Sequence, residues 1–199
     1  MRIIKAFIKA NEFPWITFKR YWKSASLSEL LVDVFFPMLL SLLMVFFASL
    51  SIDKLNVLIE KIQLLSGQIV AAISILAGFN VTSITIISTI NNASKEILRN
   101  RKNVDNTIDL YDMVICFFTW AVIIQLTVVL ASVVLFFVGS FTPNELNNAV
   151  IPYWVWICVA IWLTLILHSI FLSIRNMKTL YLYVTYDKSK KNKINDSRE

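Results

Sequence analysis

Four long apolar runs, at 34–52, 69–90, 113–138 and 153–172, constrain this chain more than any other feature. Each reaches the ~18–20 residues that a helix needs to cross a ~30 Å hydrocarbon layer. Ordinary core helices do not need such length, so the runs predict an all-α integral membrane protein with four transmembrane helices. The chain is 57% hydrophobic and 16% charged, and the charges lie mostly between the runs. Its 199 residues suffice for one bundle with short extensions, without a soluble catalytic domain. The first run does not read as a cleavable signal. Residues 1–33 are too long a leader, and the run exceeds the ~7–15 apolar residues of a signal peptide.

Lysine and arginine orient the bundle. Of the 19 basic residues, only Lys54 and Lys61 fall on the side that holds the first and third loops. The others cluster before the first run, between the second and third, and after the fourth. That bias predicts cytoplasmic N- and C-termini and a cytoplasmic middle loop at 91–112. The net charge of +6 reflects the same bias, so no direct contact with nucleic acid is expected.

Three parts follow: an amphipathic N-terminal segment at 1–33, a transmembrane domain at 34–172 and a basic tail at 173–199. In the first, Phe13, Trp15, Ile16, Phe18, Tyr21 and Trp22 interleave with Lys19, Arg20 and Lys23, as in a helix lying on an anionic leaflet. Pro14 either breaks that segment or begins a second helix. Trp15 and Trp22 are the expected inner interfacial anchors, and Trp154 and Trp156 the outer ones. Residues 51–67 carry apolar residues at helical spacing, predicting either a surface helix or an outward extension of the second crossing. In the middle loop, Asp105, Asp109 and Asp112 share a helical face, which reads as a solvated surface more readily than a cation site.

Polar residues inside the runs bear on mechanism. Asn80 and Gln125 lie eleven and twelve residues into adjacent antiparallel runs, hence near one depth, and are expected to form a polar packing pair. Ser74 and Gly78 make a small-xxx-small pattern that permits close helix approach. Thr82, Ser83, Thr85 and Ser88 would suit a pore wall, but the run contains no ionisable residue, and packing is the stronger reading. Asp33 and His168 read as boundary residues near the cytoplasmic ends of their runs, with a proton-sensitive pair as the alternative. Cys116 and Cys158 should lie at different depths, beyond disulfide reach.

The sequence contains no glycine-rich phosphate loop, Cys-x-x-C pair, zinc-type histidine cluster or nucleophile–base pair. No enzymatic activity, cofactor or metal is expected. The layout of four crossings, both ends inside and a helical cytoplasmic loop after the second resembles the membrane subunit of the Kiwa bacterial antiphage system. The resemblance is one of architecture over most of the chain, with Gly78-Phe79-Asn80 in mid-helix as its nearest local feature. It implies a homo-oligomeric sensor of the bacterial inner membrane working with a cytosolic, DNA-binding effector. The expected function is therefore a non-enzymatic scaffold or sensor subunit that sits in a lipid bilayer and recruits that effector. Arg99, Arg101 and Lys102 are the candidate docking residues. The alternative is a small oligomeric ion channel or a membrane-permeabilising effector.

Overall fold

A computed structural model describes residues 12–89, 99–100, 109–141 and 149–196, with side chains through 182. The elements are α1 (Glu12–Ser24), α2 (Leu27–Ser51), α3 (Leu55–Thr89), α4 (Leu110–Ser140) and α5 (Tyr153–Asp196). Four helices are long and apolar enough to cross a membrane: Leu27–Ser51, Leu55–Thr89, Leu110–Ser140 and Tyr153–Leu182. Residues 55–67 are the opening turns of α3, so the amphipathic stretch is continuous with the second long apolar helix instead of forming a separate surface helix. α5 has 44 residues and passes through the end of the fourth apolar run at 172 without a break. Of the middle loop expected at 91–112, residues 91–98 and 101–108 lie outside the described residues.

The burial pattern shows how helices that are apolar nearly all round choose an inner face. On α4 the buried residues Val114, Phe118, Ala121, Gln125, Val128 and Ser132 alternate by four and three positions. On α5 the same alternation joins Trp162, Ile166, Ser169, Ser173 and Asn176. On α3, Ser66, Ile73, Asn80 and Ile87 recur every seventh residue and are essentially inaccessible. This 3.5-residue period is that of knobs-into-holes packing. The buried positions mix small and polar residues with larger apolar ones, and the polar ones matter because lipid already solvates leucine and valine. Close backbone approach and interhelical hydrogen bonds then drive association.

The chain divides into two compact units. The first comprises Met1–Ala25, Phe79–Ala121 and Leu172–Glu199, and the second Ser26–Gly78 and Val122–Phe171. The second unit begins at a capping box, in which the Glu29 N–H donates to Ser26 Oγ and the Ser26 N–H to Glu29 Oε2. Leu31–Phe35 then forms a π-turn ahead of Pro37. Proline has no N–H to give to the carbonyl of Asp33 four residues earlier. His168 Nδ1 reaches that carbonyl, and because a carbonyl only accepts, Nδ1 carries the proton. Asp33 and His168 are thus buried and brought together, whereas their positions at the ends of the runs suggested wet boundary residues. The difference follows from a contact between helices, since the His168 ring reaches the Asp33 carbonyl across 135 residues of chain.

Two further hydrogen bonds tie helices within this unit. Ser41 Oγ donates to the Ala160 carbonyl at 2.7 Å, and Trp162 Nε1 donates to Ser132 Oγ at 3.0 Å. Ser132→Ala leaves the buried indole N–H without its acceptor and should lower stability by about 1–2 kcal/mol. In Trp162→Phe the donor is already gone, so adding Ser132→Ala should cost much less. Thermal unfolding in mild detergent measures this difference, and equal losses in both backgrounds would refute the assigned bond.

Candidate functional site

The first unit holds a buried polar cluster flanked by a cation and aromatic rings. Asn80 of α3 is inaccessible, and its Nδ2 donates to Ser173 Oγ of α5 at 3.2 Å. One turn further along α5, Asn176 Nδ2 donates to Asn80 Oδ1 at 3.3 Å and approaches the Phe117 carbonyl of α4 at 3.5 Å. Three helices therefore meet at amide groups, which offer both donors and acceptors where lipid offers neither. Asn176 Oδ1 is buried with no hydrogen-bond partner among the described residues.

Beside this cluster stands Arg175. Its guanidinium carbon lies 4.3 Å from the Phe117 ring centroid and 5.5 Å from that of Tyr21. Both separations suit a cation–π interaction, which strengthens when the cation is withdrawn from water. Tyr21 is completely buried, stacks on Trp120 at 5.7 Å and meets Phe117 edge-on. Phe18 adds a ring 5.3 Å from Trp120. Tyr21 and Phe18 are one turn apart on α1, so a single face of the N-terminal helix delivers both to α4.

Much of the rest of α1 is exposed. Phe13, Trp15, Ile16 and Trp22 remain accessible, and Lys19 Nζ lies 5.2 Å from the Trp15 ring centroid. Pro14 lies in the first described turn of α1. Between α1 and α4 a cleft of about 340 Å³ is lined by Thr17, Arg20, Asp112, Cys116 and their neighbours. Cys116 Sγ is 3.7 Å from the Thr17 carbonyl, a weak contact that fixes the α1 backbone against α4. Near the start of α4, the exposed Arg99 places its guanidinium 5.6 Å from the Tyr111 ring centroid.

Other residues singled out in the sequence fall elsewhere. Gln125 is buried in the second unit. Ser74 and Gly78 are exposed, and nothing lies within 4 Å of the position that a Cβ on Gly78 would take. Trp154 is exposed and Trp156 half-buried, while Arg101 and Lys102 lie outside the described residues. Both cysteines are free thiols, one in each unit. Sequence reasoning missed Ser173, Arg175 and Asn176, which follow the end of the fourth apolar run. The available signal was the four-three alternation through Ile166 and Ser169, which continues past that end without a break. No protein family, curated protein or solved structure matches this chain.

Proposed function

We propose that this chain is a non-enzymatic scaffold or sensor subunit of a bacterial inner membrane, homo-oligomeric, with both termini in the cytoplasm. In this reading it recruits or signals to a cytosolic effector, and the resemblance to the Kiwa membrane subunit suggests antiphage defence as the setting. The observation that carries the reading is the length of α5. At ~1.5 Å per residue its 44 residues extend roughly 66 Å, about twice the hydrocarbon thickness. A helix that leaves the bilayer unbroken and carries Lys188, Lys190, Lys191 and Lys193 suits a rigid strut on the cytoplasmic side. The exposed aromatic and basic face of α1 suits contact with an anionic leaflet.

Affinity purification from native membranes in mild detergent, followed by native mass spectrometry, tests this reading. The expected result is a cytosolic protein in fixed ratio to the oligomer. Reversing charge at Arg99, Arg101 and Lys102 should abolish that recovery while membrane insertion is preserved. A homo-oligomer recovered alone would reject recruitment and direct attention to ion flux in liposomes, where substitutions at Thr82, Ser83, Thr85 or Ser88 should then alter conductance.

A further inference from the structure

The second unit contains a cavity of about 590 Å³ whose walls come from three membrane-length helices. Leu55, Ile59 and Ile62 of α3 form one wall, Leu135 and Val138 of α4 a second, and Val155 with Val159 of α5 a third. Among the described residues, no charged side chain lines it. Its volume falls in the usual range for small-ligand sites, and such an apolar surface offers water no hydrogen bonds.

The cavity is held open by defined contacts. Gln63 Nε2 donates to the Phe136 carbonyl at 3.3 Å and to Ser140 Oγ at 3.1 Å, pinning α3 to the end of α4. Gly139 makes room for this, since a Cβ there would fall 2.9–3.1 Å from the Gln63 side chain. The two chain segments at the rim are joined by the Lys54–Val150 bridge and by a hydrogen bond from the Leu55 N–H to the Ala149 carbonyl at 3.1 Å. Trp154 also lines the cavity and is largely exposed, as an interfacial aromatic would be, and the exposed Lys54 adjoins the lining residue Leu55.

We propose that this cavity binds one acyl chain of a membrane phospholipid, with the headgroup phosphate beside Lys54. Acyl chains are the medium around helices of this length and hydropathy, and an apolar lining selects for them. A cation at the rim complements the phosphate, while Trp154 spans the boundary between chain and headgroup. The site is independent of effector recruitment, so either proposal can fail without the other.

The full-length protein in a delipidating detergent, examined by native mass spectrometry, should retain about one phospholipid per chain. Val155→Trp fills the cavity and should reduce retention roughly tenfold, whereas Ile157→Trp, on an exposed position outside the lining, should not. Cys158 lines the cavity and gives a readout in the unmodified protein. Its alkylation by N-ethylmaleimide, read by peptide mapping, should accelerate on delipidation and slow again when phosphatidylglycerol is restored. Retention unaffected by Val155→Trp, or alkylation indifferent to lipid, would overturn the proposal. So would a retained mass belonging to a non-lipid molecule, or a Val155→Trp effect on oligomer size with no lipid released.

Discussion

Tyr21→Ala should release α1 from the first unit. The phenol ring is fully buried, stacks on Trp120 and lies over the Arg175 guanidinium. Truncating a buried aromatic residue typically costs about 3–5 kcal/mol, of which lost packing is the larger part. The remainder comes from opening a side of the Arg175 environment that was closed by a π face, where a desolvated cation–π contact contributes about 2 kcal/mol. Because α1 joins the rest of the unit through few such side chains, the loss should appear locally as well as globally. Amide hydrogen exchange across Glu12–Ser24 should accelerate by at least about a hundredfold, while α3 exchanges as before. Trp15→Ala, at a position 57% exposed, should change exchange by less than about threefold. Equal effects of the two substitutions would show that α1 is not held by its buried face.

The second large effect belongs to the amide cluster. Asn80→Leu removes the donor to Ser173 and the acceptor for Asn176 in one step, and a leucine provides neither. Stranding buried polar groups costs about 1–3 kcal/mol each, although polar contacts between membrane helices measure nearer 0.6–2 kcal/mol. A loss of about 2–3 kcal/mol is therefore expected for Asn80→Leu. Asn176→Leu should cost less, since its Oδ1 is already without a partner among the described residues. The double substitution should be clearly less destabilising than the sum, because the two residues share a hydrogen bond. Unfolding in detergent gives the coupling energy, and strict additivity would refute the Asn80–Asn176 bond. If the chain is homo-oligomeric as proposed, Asn80→Leu is expected to disturb oligomer size more than any ion selectivity.

The arrangement of α1 also bears on how a membrane protein of this kind would respond to a partner. Its buried face is committed to Phe117, Trp120 and Arg175, and its exposed face to whatever lies outside. A ligand can shift such an element only by binding its docked and released states unequally. Tyr21 therefore provides a direct handle. If effector recruitment depends on the position of α1, Tyr21→Ala should alter recovery of the partner without changing membrane insertion.

Several elements are legible in the amino-acid sequence alone. The four apolar runs foretell four membrane-length helices, because a run of 20 apolar residues has few alternatives to a membrane-spanning helix. Asn80 stands out as an amide among apolar neighbours. Other features depend on distant partners. Asp33 is visible in the sequence, but its carbonyl is reached by His168, 135 residues away. The fourth run ends at Leu172 by hydropathy, yet its packing face continues through Ser173 and Asn176. Hydropathy measures transfer into lipid, and that quantity says nothing about which side of a uniformly apolar helix meets another helix.

By itself the sequence determined the number of long apolar helices and the asymmetry of charge around them. These properties depend on local composition, on helical rise and on the cost of unsatisfied backbone in hydrocarbon. Only the tertiary structure decided which faces pack, that Asn80 is engaged by Asn176, that Arg175 lies against aromatic rings, and that an apolar cavity remains between α3, α4 and α5. Those outcomes rest on register and close side-chain fit between segments far apart in the chain. Hydropathy leaves them open because, inside a membrane, helix packing and not burial from water selects among them.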